Sequence, residues 1–300
     1  MTRSRRWLSG LLLIAVYAGG LHAQDNPFAP VAATEATLAN ARELARLETP
    51  GEVFFHDDFE TVASLKNYFE IGGLEDGRAQ LVSGPGAFSG SGTLRFTAPA
   101  KGGQESGARA SYWFGPEGWP VVYFRRYLKF AADYDQGNMN HTGGGLVGVA
   151  GADRWGGMGK AGIRPDGTDR FTCDFEPWRD YKRYPAPGYM FLYTYWVDME
   201  VSVDGYYWGN FLEPPPDQRL VPERDRWYCL EQMIRVNDLG QANGELAAWI
   251  DGQLYIHYQH IRWRLAEDVQ PKRIDFGIYF HEAQRDNTVW YDEVALSTGY

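Results

Sequence analysis

Residues 226–264, RWYCLEQMIRVNDLGQANGELAAWIDGQLYIHYQHIRWR, constrain the fold more than any other part of the chain. Tyr228, Leu230, Ile234 and Val236 alternate with Glu231, Met233, Arg235 and Asn237, the period of two that belongs to a strand with one buried face. Gln232 is the polar exception on the buried side. Asn243-Gly244 and Asp251-Gly252 mark turns, because Asn, Asp and Gly tolerate the positive φ of tight hairpins. Successive antiparallel strands follow from this block alone.

The rest of the chain from residue 53 repeats that grammar: short aromatic-rich runs broken by Gly, Pro, Asn and Asp, with no internal repeat and no second long helical pattern. Strands are expected over 53–59, 92–97, 108–114, 121–130, 162–163, 170–176, 189–200, 226–237, 244–250, 253–258, 273–280 and 289–296. Residues 136–169 and 211–225 read as long rim or lid loops. The expected fold is all-β, a two-sheet antiparallel jelly-roll sandwich over 53–300. Ahead of it lies a flexible leader over 24–52, with a short helix over 34–47 carrying Leu38, Ala41 and Ala45 at helical spacing.

Arg3, Arg5 and Arg6 precede an apolar run to Ala18, and Leu21-His22-Ala23 ends in a small residue, so residues 1–23 read as an export signal and the product as secreted or periplasmic. Removing them makes a chain of formal charge −10 three charges more negative. Such a chain is no nucleic-acid binder by global electrostatics, and it would hold a polyanionic glycan only through a locally basic groove. After signal removal no membrane span is expected, and the domain reads as a monomer. Cys173 and Cys229 allow either one disulfide or two buried thiols.

The Trp227-led strand, its Gly-rich turn and the Trp249-Ile250-Asp251-Gly252 hairpin resemble the C-terminal part of secreted jelly-roll polysaccharide lyases, the group containing the family 14 alginate lyases and the fungal glucuronan lyases. The resemblance implies a concanavalin A-like sandwich, a polysaccharide ligand, and β-elimination at a uronic acid. It also implies a structural Ca²⁺ between the terminal strands. Here Asp58 and Glu60 near the start and Asp292 near the end, with oxygens of Ser89-Gly90-Ser91-Gly92, would supply a hard oxygen cage. Solvated strand-end carboxylates are the alternative.

A uronate lyase needs a group to neutralise the carboxylate, a base for the C5 proton and an acid for the departing O4. Tyr193-Thr194-Tyr195 resembles the catalytic tyrosine pair of the family 14 lyases, with Tyr195 as base or acid and Tyr193 as partner; core aromatics would give the same pattern. His141 opens His141-Thr142-Gly143-Gly144-Gly145-Leu146-Val147-Gly148, similar to the Lys-Leu-Pro-Gly segment of those enzymes, and is the expected carboxylate neutraliser or base. On the expected strand 121–130, Tyr123, Arg125, Tyr127 and Lys129 share a face that suits a glycan, with Arg125 as substrate clamp. Lys160, Arg164 and His281 are further substrate-binding candidates. The chain departs from the family pattern where Gly145 stands for the catalytic Lys and Thr172-Cys173-Asp174 for a Ser-Xaa-Arg strand.

Two other readings compete. A non-catalytic carbohydrate-binding jelly roll would stack sugars on Trp155, Trp178, Trp208 and Trp263. A family 16 glycoside hydrolase would place Asp198 and Glu200 of Trp196-Val197-Asp198-Met199-Glu200 in the groove, although Trp196 occupies the nucleophile's place.

Overall fold

The computed structural model describes residues 26–137 and 140–300; the expected export signal lies outside them. Two short helices, α1 (Thr34–Leu38) and α2 (Ala41–Leu47), accompany β1 (Val31–Ala32) and β2 (Val53–Asp57). The chain continues through β3 (Glu70–Gly72), β4 (Ala79–Ser83), β5 (Gly92–Ala98), β6 (Ser106–Trp113), β7 (Val121–Phe130), β8 (Asn140–Val149) and β9 (Arg170–Trp178). The remaining strands are β10 (Tyr189–Tyr195), β11 (Asn210–Leu212), β12 (Trp227–Arg235), β13 (Gly244–Ile250), β14 (Gln253–Ile261), β15 (Gln270–Phe280) and β16 (Asn287–Ser297).

They form two antiparallel sheets. One has nine strands in the order β1-β14-β13-β12-β7-β16-β5-β4, with β2 also on β16; the other has seven in the order β11-β10-β9-β8-β15-β6-β3. The expected all-β sandwich is therefore present. Between the sheets lie Phe96, Phe124, Phe276 and Tyr291, packed ring against ring, and the fully buried Trp263, 5.0 Å from Phe171.

Local chemistry sets the well-predicted pieces. Asp251 and Gly252 join β13 to β14 with φ of 51° and 75°, the conformation a two-residue hairpin of type I′ needs. In β12, Tyr228, Leu230 and Ile234 face the core, and so does Gln232.

The leader differs from expectation. Asn40 breaks the helix in two and caps α2, its side-chain oxygen accepting from Arg42 and Glu43 N–H at 3.2 and 3.3 Å. Val31–Ala32 is no flexible segment but a strand paired to β14. Leu47 seals a second, smaller core on the outer face of the nine-stranded sheet with Tyr123, Met233, Trp249 and Leu254. That is why Met233, placed by alternation on the open face, is fully buried.

Three further segments depart from expectation. Residues 140–149 form a central strand instead of a loop, and β10 stops at Tyr195 rather than continuing to Glu200. Gly162 makes a single bridge to Tyr207, not a strand. Cys173 faces the core from β9 while Cys229 points away from it on β12 in the other sheet, so both are free thiols.

Candidate active site

The outward face of the seven-stranded sheet carries an open row of ionisable side chains. In register, Tyr193 of β10 pairs with Asp174 of β9, Asp174 with Gly145 of β8, and Gly145 with Asp275 of β15. Two residues along, on the same face by the strand period, lie Glu176 and, on β8 and β15, Gly143 and Gly277. His141 and Tyr279 pair in the row beyond.

Gly143, Gly145 and Gly277 make a floor without side chains. A Cβ at Gly145 would stand 2.0 Å from the Cys173 carbonyl oxygen and 2.5 Å from Asp174 Oδ1. One at Gly277 would stand 2.3 Å from the Ala108 oxygen, so the close approach of neighbouring backbone excludes any larger residue.

The floor is held from beneath by the opposite sheet. Arg126 of β7, fully buried, donates from Nη2 to the carbonyls of Gly144 at 2.8 Å and Phe175 at 3.0 Å, and from Nη1 to Gln232 Oε1 at 3.2 Å. Gln232 in turn donates to the Cys173 carbonyl at 3.0 Å. The Tyr291 hydroxyl lies 2.6 Å from the Gly143 oxygen and 2.7 Å from that of Gly277. Burial lowers the Arg126 pKa to about 10, which leaves the guanidinium charged at neutral pH.

Above the floor, His141 Nδ1 sits 2.9 Å from Glu176 Oε1; the imidazole is 38% exposed and the carboxylate 3%. Burial opposes a charge on the ring, but the Glu176 carboxylate outweighs it and raises the His141 pKa to about 9. The ring is thus an imidazolium at neutral pH. Its centroid lies 5.2 Å from Tyr193 and 5.4 Å from His281, whose own pKa is lowered by burial and by the His141 charge.

Tyr193 Oη accepts the Gly209 N–H at 2.9 Å and lies 3.4 Å from Tyr195 Oη. Burial, and then Tyr195, hold the Tyr193 hydroxyl far above the usual phenol range, so it keeps its proton. Phe211, Phe191 and Trp178 continue an aromatic wall beside Tyr193. Burial, reinforced by the Glu176 charge, raises the Asp174 pKa to about 7. Two other cations of this face are matched, Arg109 with Glu70 at 3.0 Å and Arg273 with Asp275 at 2.9 Å.

The structure therefore brings Tyr193, Tyr195, His141 and His281 together. Arg125, Tyr123, Tyr127 and Lys129 are not with them, because β7 belongs to the nine-stranded sheet and presents this face on the far side of the molecule. There Tyr123 is buried, its hydroxyl donating to the Leu47 carbonyl at 2.6 Å. Tyr127 stacks under Phe88, and Lys129 lies 5.0 and 5.1 Å from the rings of Trp227 and Trp290. Lys160 and Arg164 are exposed on the loop after β8, Arg164 over Tyr207 at 5.3 Å. Trp263 is core, not a stacking platform, whereas Trp155 and Trp208 are exposed. Asp198 is spent on Arg262 at 2.8 Å, and Glu200 lies beyond the end of β10, so neither stands in the groove.

Alternation in Thr172-Cys173-Asp174-Phe175-Glu176 was the available signal for Glu176, and the Arg inside the apolar face of 121–130 was the signal for Arg126.

The turn 88–92 does sit between the terminal-strand carboxylates expected to hold calcium. It meets them through donors, however. Glu60 accepts the N–H groups of Ser91 and Gly92 at 2.7 and 2.8 Å, and Asp292 those of Phe88 and Ser89 at 2.9 and 3.3 Å. Asp58 accepts from Glu60 N–H at 3.1 Å. As arranged here, these carboxylates face N–H groups and not a shared oxygen cage.

No protein-family model matches the chain, and no curated protein matches it by sequence. Solved structures do match by shape. An alginate lyase from a Chlorella virus superposes with a TM-score of 0.61 at 14% identity, over 83% of this chain and 100% of that one. A marine PL-14 alginate lyase from Aplysia kurodai gives 0.58 at 13% identity, over 82% and 98%. The endo-β-1,4-glucuronan lyase of the fungus Trichoderma reesei gives 0.52 at 14% identity, over 82% and 96%. The chain has the two-sheet jelly-roll fold of these polysaccharide lyases.

Proposed function

We propose that the protein is a polysaccharide lyase that cleaves a uronic-acid-containing glycan by β-elimination on the glycine floor beside His141 and Tyr193. The observation that carries this reading is the His141 imidazolium, held charged by Glu176 and set beside a protonated tyrosine on an open sheet face. The imidazolium meets the uronate carboxylate and stabilises the negative charge that develops on it when the C5 proton leaves. Tyr193 protonates the departing O4, and Tyr195, 3.4 Å behind it, restores that proton. Phe211 and Trp178 offer ring faces to adjacent sugars.

The test is ultraviolet absorbance of the conjugated C4=C5 product after incubation with alginate, glucuronan, pectate or a glycosaminoglycan. A rise on one substrate establishes β-elimination and names the sugar. A second reading, a non-catalytic glycan-binding jelly roll, is favoured by the pairing of Arg109 and Arg273 with acids, which leaves little free positive charge for a polyanion. It predicts retained binding with no product.

Export to the periplasm or medium belongs to this same reading. Among the described residues, no helix is long and apolar enough to cross a membrane. Calcium at Asp58, Glu60 and Asp292 is proposed as a stabiliser only. It would have to turn carboxylates away from the N–H groups of the 88–92 turn, and a melting temperature unmoved by added calcium or by chelator would refute it.

A further inference from the structure

We propose that Asp174 is the general base of this site, taking the C5 proton of the uronate that Tyr193 and His141 hold. This deepens the lyase reading and rests on it.

The geometry singles out this carboxyl. Asp174 stands in register with Tyr193 on one side and Gly145 on the other, one strand spacing from each, about 4.8 Å. Its Oδ1 leans over Gly145 into the space that any side chain there would fill. It thus reaches the floor on which a sugar would lie. Among the described residues its carboxyl has no hydrogen-bond or ion-pair partner, unlike Glu176, tied to His141, or Asp275, tied to Arg273 and to Ser111 at 2.6 Å.

The charged and titratable groups around it explain its behaviour. Burial disfavours its ionisation most, and Glu176 on the same strand and Asp275 across Gly145 add to this. His141 on β8 and Arg126 beneath the floor favour it, and the balance raises its pKa to about 7. A base near the working pH is the most useful one. Two neighbours are excluded by their own protons: His141 is held as the cation, and Tyr193 keeps its hydroxyl hydrogen.

The step balances. Asp174 carboxylate takes the C5 proton, the C5–H pair becomes the C4=C5 double bond, the C4–O4 bond breaks, and O4 takes its proton from Tyr193. Asp174 then loses its proton to water while Tyr193 is reprotonated, through Tyr195, and the enzyme is restored with no outside oxidant or reductant.

The experiment is the pH–rate profile of wild type, Asp174→Asn and Asp174→Glu on the substrate that the panel identifies. For wild type, activity should rise through about pH 7. Asp174→Asn should lose about 10²–10⁴-fold in kcat and with it the low-pH limb, while a Glu at this position restores part of the rate with the limb displaced. Asn at wild-type rate with the limb intact would overturn Asp174 as the base and leave the lyase reading standing. No unsaturated product from wild type on any polymer would overturn both. Asn and wild type of equal circular dichroism would exclude misfolding as the cause of a loss.

Discussion

The outward faces of the two sheets make opposite use of similar residues. On the nine-stranded sheet, β7 shows Tyr123, Arg125, Tyr127 and Lys129, a strip that reads like a glycan platform. Most of it is taken up by structure. Tyr123 lies under α2, Phe88 covers Tyr127, and Lys129 sits between two Trp rings and donates to the Gly86 carbonyl at 3.0 Å. On the seven-stranded sheet the composition looks unfavourable, with three glycines and the four acids Glu70, Asp174, Glu176 and Asp275. Yet two groups there stay available: Asp174 is unpaired among the described residues, and His141, although tied to Glu176, is 38% exposed. Composition of a face says what it could bind. Whether its groups are already satisfied says whether it is free to.

The sharpest way to break this contrast is at the hydroxyl. Tyr193→Phe should cut kcat by about 10²–10⁴-fold with the fold intact by circular dichroism; near-wild-type turnover would remove the groove from the mechanism. On the opposite face the dominant effect should be on stability. Trp249→Ala, in the small core sealed by Leu47, should cost about 3–5 kcal/mol in urea denaturation while leaving the pH–rate profile unchanged.

Titration gives the next effect, and its sign is fixed. The raised pKa of Asp174 stabilises the fold below its unfolded value near 4, and that stabilisation is lost as pH rises through about 7. The raised pKa of His141 acts in the same sense between about 6.5 in the unfolded chain and about 9 in the folded one. Asp174→Asn should therefore melt higher than wild type at pH 8 and much less so at pH 5, and equal shifts at both would refute the buried-charge account. Turnover, needing an ionised Asp174 and a charged His141, should be confined between about 7 and about 9. The smallest effect should be Arg125→Ala, within about twofold of wild-type kcat/KM, since it stands on the far sheet; a loss above tenfold would return the clamp to β7.

Much of the fold was legible because it is written in local alternation. The bounds of β7 and β13 and the Asp251-Gly252 hairpin agree with expectation to the residue. β8 was not legible, because strand propensity rewards side chains and this strand is required to lack them where Cys173 and Phe175 carbonyls approach Gly145 and Gly143. The site was half legible. Alternation tells which residues of β7 or β10 share a face, but the sheet to which that face belongs is decided by pairings between strands far apart in the chain. For that reason Tyr193, Tyr195 and His141 met as expected while Arg125 did not. On charge alone an acid at Asp174 argues against a uronate site, because like charges repel, and only its missing partner changes what it can do.

The ties of Arg126, Gln232 and Tyr291 to the floor carbonyls carry one more consequence. Amide hydrogens of β8 and β9 should exchange with solvent only when the two sheets part, because loosening the floor means abandoning hydrogen bonds made across the core. In the proposed reaction a polymer laid on such a floor would meet a rigid template, and the distortion that brings C5 toward a base would fall on the sugar ring and not on the protein.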